Sequence, residues 1–93
     1  MGEAKLNTPM YDRHREVVLV DIVVDGRPIL SAVSREAITD VFRVNGDEVS
    51  LVAAVRENWF RVESVLIAVY REMRERGDES QPLAVNSDFA KYR

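Results

Sequence analysis

Ninety-three residues make one small domain, and 46% hydrophobic beside 31% charged residues places the chain outside both the disordered and the membrane-spanning classes. With no cysteine and one histidine, disulfides, thiolate metal sites, thiol nucleophiles and His-rich metal motifs are all excluded. Thirteen basic residues interleave with sixteen acidic ones for a net charge of −3, so no basic stripe is present to displace counterions from duplex nucleic acid.

No apolar run approaches the ~20 residues of a transmembrane helix. No signal-peptide pattern is read ahead of the first structured segment. A cytoplasmic location, with no membrane and no cofactor, is therefore the expectation. The domain is read over residues 1–93, loose over about 1–8 and fraying over about 90–93.

Pro9-Met10-Tyr11-Asp12 is a short extended piece anchored by the tyrosine. Val17 to Val24 is the clearest strand, because seven of its eight residues are apolar and most are β-branched. Only Asp21 breaks the alternation, so both faces of the strand read as covered. Asp25-Gly26 marks a type I′ hairpin turn, where positive φ is required. That loop sets Ile22 opposite Ile29, Val18 opposite Val33 and Leu30 opposite Asp21. Pro28 lacks an N–H, which makes the return strand an edge at that point.

Ser34 caps a short helix that runs to Arg43, with Glu36 in its first turn and Asn45-Gly46 as its stop. A long helix follows from Ser50, or from Asp47, to Arg76, with Gly77 as the stop. Leu83 to Val85 is a further strand, and Phe89 is pinned to the core.

The long helix carries most of the information. Val52, Val55, Trp59, Val62, Leu66, Val69 and Met73 alternate spacings of three and four, the seam of a helix packed on another element. A second stripe runs through Ala53, Phe60 and Ile67, ~80–120° away around the helix. One small sheet covers one side of a helix, not two, so this stripe points to a partner, and the simplest partner is another copy. The doubly apolar strand points the same way.

Candidate chemistry is sparse. Asp21, an acid among valines and isoleucines, is a candidate general base whose burial would raise its pKa, with a strand-edge carboxylate reaching solvent or an arginine such as Arg27 as the bland alternative. No second acid, lysine or tyrosine is visibly poised beside it; Tyr11, or His14 between two arginines, is the partner an enzyme reading would use. The serines form no GxSxG elbow, and the four glycines form neither GxGxxG nor a P-loop.

Four short motifs carry a resemblance. They are Tyr11-Asp12 before the apolar strand, Val33-Ser34-Arg35-Glu36-Ala37-Ile38 entering the first helix, Arg56-Glu57-Asn58 within the long helix, and the closing Ser87-Asp88-Phe89. From Pro9 to Phe89 the chain resembles a small bacterial family, domain of unknown function 1488. The resemblance implies an α+β fold with an antiparallel sheet against a long helix. It implies no activity, since that family has no assigned catalytic residues.

The expectation is an α+β domain: a small antiparallel sheet, made of the hairpin and one or two short strands, packed on one long helix with a second short helix. It would be a non-catalytic binding or scaffold module, self-associating as a homodimer through Ala53, Phe60 and Ile67 and part of the strand's second face. An unidentified protein partner is the variant of that reading. The rival readings are an enzyme or small-ligand module using Asp21 with Tyr11 or His14, and a regulator associated with nucleic acid.

Overall fold

A computed structural model describes residues 8–92; the loose terminus expected over residues 1–7, and Arg93, lie outside the described residues. The elements are β1 (Met10–Asp12), β2 (Val17–Val24), β3 (Arg27–Ser34), α1 (Arg35–Phe42), α2 (Glu48–Glu57), α3 (Trp59–Glu75), β4 (Leu83–Ala84) and α4 (Asn86–Lys91). They build an α+β fold around one four-stranded sheet of order β1-β2-β3-β4.

The hairpin forms as its turn chemistry dictates. Asp25 and Gly26 take φ of 52° and 78°, both in the left-handed region that a type I′ turn needs. The pairs Ile22–Ile29, Val18–Val33 and Asp21–Leu30 all stand in the expected register. β1 joins β2 antiparallel, with Met10 opposite Leu19 and Tyr11 opposite Val18. β4 departs from the expected antiparallel sheet: it runs parallel to β3, pairing Leu83 with Ala32 and Ala84 with Val33. The Pro82 carbonyl accepts the Ala32 N–H at 2.9 Å, which extends this short ladder. Since β4 covers β3 only near its end, Pro28 does lie on an open edge, where its missing N–H costs nothing.

α1 starts as expected, with the Ser34 hydroxyl accepting the Ala37 N–H at 3.1 Å. It stops earlier than Asn45-Gly46. Arg43 itself takes the left-handed conformation, φ 57° and ψ 49°. Gly46 serves another purpose: Arg35 Nε donates to the Gly46 carbonyl at 3.1 Å, and a Cβ on Gly46 would lie 2.8 Å from the Arg35 Cζ. Asp47, rather than Ser50, caps α2, its carboxylate accepting the Ser50 N–H at 3.0 Å.

The single long helix expected from the heptad spacing is two helices joined at Asn58. A straight helix from Glu48 to Glu75 would run about 42 Å at ~1.5 Å per residue. The longest dimension of the molecule is 35 Å. The chain bends instead, and Asn58 is suited to the place. Its Nδ2 donates to the Ala54 carbonyl at 2.8 Å, sharing that acceptor with its own backbone N–H. Such local side-chain bonding competes with the helical ladder and favours asparagine where a helix is interrupted. Gly77, at φ 77°, ends α3 as expected, with the Asp78 N–H returning to the Met73 carbonyl at 2.9 Å.

The core lies between one face of the sheet and the helices. Val18, Val20, Ile22, Val24 and Val33 point into it from the strands. Ile38, Leu51, Val55, Val62, Val65, Leu66 and Phe89 meet them from all four helices. Each such side chain gains ~1.5–3 kcal/mol from full burial. The bend widens the buried stripe beyond the seam: Leu51, Ala54 and Val65 are buried, while Val52 and Trp59 of the seam are only half-buried.

Phe89, expected to be pinned to the core, is buried there, and Lys91 and Tyr92 after it make side-chain bonds back to α3. Phe89 meets Phe42 edge to face at 5.8 Å, and the Arg61 guanidinium lies over both rings. Beyond it, Lys91 Nζ sits 2.9 Å from Glu72 Oε2, and the Tyr92 hydroxyl donates to Glu72 Oε1. Those bonds hold the Glu72 carboxyl below its usual range, the tyrosine bond contributing most, and push the Lys91 and Tyr92 groups up.

Candidate functional site

The three acid–base candidates do not converge. Asp21 and Leu30 are opposite partners, on the face of the sheet turned away from the core. Tyr11 is opposite Val18 and therefore on the other face, where it packs against the core. His14 is exposed in the turn between β1 and β2, its backbone N–H donating to Asp12 Oδ1 at 3.0 Å. That turn enters β2 at Val17, about 13 Å along the strand from Asp21 at ~3.3 Å per residue. Arg27 pairs with Val24 and lies on the core side of the sheet, so it does not reach Asp21. Among the described residues, no group of three His, Asp or Glu side chains is placed to hold a metal ion. No described helix is long and apolar enough to cross a membrane.

Nor do the interface candidates on the helix form one stripe. Phe60 projects freely at 85% exposure in the first turn of α3. Ile67 is half-buried and leans on the core. Ala53, also half-buried, lines a cleft of about 350 Å³ between β1 and α2, with Met10, Val49 and Arg56. The bend at Asn58 separates Ala53 from the other two, so the helical wheel of a straight helix does not apply across it.

Met10, Val23, Leu30 and Leu83, four exposed large hydrophobic residues, lie on one face of the sheet. Since opposite residues share a face, Met10, Leu19, Ala32 and Leu83 form one row across the four strands. Asp21 with Leu30, and Val23 with Pro28, form the next two. No described helix packs its core residues against these rows. Met10 is 64% exposed and Leu30 54%, and Val23 and Leu83 are also open. The expectation that both faces of β2 are covered holds in full only for the face of Val18, Val20, Ile22 and Val24; on the other, Val17 is buried, Leu19 and Asp21 are half-buried and Val23 is exposed. A shallow depression of about 370 Å³ lies at its centre, lined by Thr8, Met10, Leu19, Val20, Asp21 and Leu30. The signal for this surface is present in the hairpin register, which puts Leu19, Asp21 and Val23 on one side with Ala32, Leu30 and Pro28.

No family model, no curated protein and no solved structure matches this chain. The geometry above therefore stands as the basis for a functional reading.

Proposed function

We propose that the protein is a non-catalytic assembly module that works as a homodimer, with two copies packing the open faces of their sheets together. One observation carries the reading: the helices all gather on one side of the sheet and leave an apolar face of four strands open on the other. Sheets with an apolar second face ordinarily pack on another layer about 10 Å away. The separation of Asp21, Tyr11 and His14 supports a role without catalysis.

A second copy is the occupant that the surface fits. The patch is self-complementary in chemistry, apolar against apolar, as an isologous two-fold contact requires. Its strands cover about 330 Å² in plan, at ~3.3 Å per residue and ~4.8 Å between strands. Two copies would then enclose about 660 Å² in plan, roughly half of the ~1,200 Å² where stable complexes begin. The dimer is accordingly weak and reversible.

Light scattering and sedimentation over a dilution series test this. The expected mass moves from near 10.6 kDa toward twice that value as concentration rises. Leu30→Lys should hold the protein monomeric without lowering its melting temperature, because Leu30 faces outward. Phe60→Asp should leave the dimer intact. A dimer lost on Phe60→Asp but kept on Leu30→Lys would move the contact to α3 and overturn the sheet reading. A monomer at every concentration would overturn self-association itself.

A further inference from the structure

Among the described residues the open face holds two acids, Asp12 at the end of β1 and Asp21 near the middle of β2. Asp21 lies in the middle row, with Leu19 and Val23 before and after it on the same face and Leu30 directly opposite. Among the described residues, the depression around it is lined by one other polar side chain, that of Thr8, and by no lysine or arginine. Arg27, across the hairpin turn, pairs with Val24 on the core side of the sheet. A second copy brings the same set of residues. Apolar side chains and a second acid thus meet the Asp21 carboxylate, and none of them supplies a positive charge. An acid enclosed without a cation is unfavourable, and two acids approaching one another add repulsion.

We propose that Asp21 limits the strength of self-association and fixes its alignment. The inference rests on the homodimer reading above. The apolar rows drive the two faces together, and the carboxylate penalises every alignment that seals it from water. Two copies therefore settle offset, each Asp21 kept at a wet seam, and the contact remains reversible. Natural sheets use an inward-pointing charge in a similar way to blunt unwanted pairing. A partner of a different chemistry reverses the sign. An apolar surface carrying a lysine or arginine would find in Asp21 a favourable contact, and loss of the charge would weaken it.

The experiment is the dissociation constant of the full chain by sedimentation equilibrium, for the wild type, Asp21→Asn, Asp21→Leu and Leu30→Lys. Asp21→Asn removes the charge at nearly constant shape, and a tenfold or greater tightening is expected. Asp21→Leu should tighten the dimer further. Circular dichroism of each variant confirms that the fold is kept, since the side chain points away from the core. A wild-type dimer that Leu30→Lys dissociates, but that Asp21→Asn leaves unchanged or weakens, would overturn this inference while the homodimer stands. If the wild type and both Asp21 variants stay monomeric at the highest concentration, the homodimer reading fails and this inference falls with it.

Discussion

Replacing Arg43 with glycine should make the protein more stable. Arg43 ends α1 at φ 57° and ψ 49°, where the Cβ of an L-residue crowds the backbone carbonyl. The left-handed region costs a residue with a Cβ ~1–2 kcal/mol, and glycine escapes that cost. Glycine also adds freedom to the unfolded chain, which returns ~0.4–1 kcal/mol. The net gain is about 0.5–1 kcal/mol, or ~3–6 °C in melting temperature for a domain of this size. Calorimetry or circular-dichroism melts at fixed protein concentration read it directly. Arg43→Ala is the control: it removes the same exposed side chain and keeps the strained backbone, so its melting temperature should barely move. Glu16, exposed at φ 56° in the turn before β2, offers an independent repeat. The two glycine substitutions should add, because they lie in separate turns, one before β2 and one after α1. Equal melting temperatures for Arg43→Gly and Arg43→Ala would refute the strain argument.

Two other predictions follow from the same structure. Gly46→Ala should displace the Arg35 guanidinium from the Gly46 carbonyl, costing ~1–2 kcal/mol for a charge-assisted bond. In an Arg35→Met background the same change should be nearly free, and a double-mutant cycle on melting temperatures measures the difference. Stability should also fall at both ends of the pH scale. Asp47, Glu72 and Asp78 titrate below their ordinary ranges, through hydrogen bonds from Ser50, Tyr92 with Lys91, and Ser80 respectively. Their contribution is present above the unfolded carboxyl values of about 4 and is lost as pH falls through the depressed folded values. Lys91 and Tyr92 titrate above their ordinary values, so their contribution is present below about 10 and is lost as pH rises through the raised folded values. Glu72→Gln touches both sets, and denaturant midpoints against pH should show both limbs flattened.

The hairpin and the core face of the sheet were legible in the sequence because each rests on a local rule. Asp25-Gly26 dictates a two-residue turn, and once the turn is set every pair from Val17 to Ser34 follows from a period of two. The bend at Asn58 was hidden for the opposite reason. Apolar residues keep heptad spacing straight through it, from Val52 to Met73, and periodicity reports a stripe without reporting whether its axis is straight. What forces the bend is global, the 35 Å length of the body that the helices must cover. The parallel placement of β4 is global too, since Leu83 and Ala84 are too few to carry a directional pattern. Arg43 escaped notice because Asn45 and Gly46, better suited to positive φ, stand just downstream. The open face was half-visible. The uniform apolar character of β2 announced that both faces need cover, and it was silent on whether that cover comes from the same chain.

The parallel pairing of β3 with β4 bears on the order in which the molecule assembles. Ile22 and Ile29 meet across a short loop, whereas Ala32 and Leu83 join regions separated by most of the helical sequence. Closing the longer loop costs about 1–2 kcal/mol more in chain entropy, since that cost grows with the logarithm of loop length. Hairpins also close within microseconds, before distant segments find one another. The terminal stretch from Pro82 to Tyr92 is thus the last piece to dock and the first to open. Its release would bare the end of β3 and the Phe42 ring while leaving the hairpin paired, a partial opening that amide exchange in α4 would reveal as less protected than in β2.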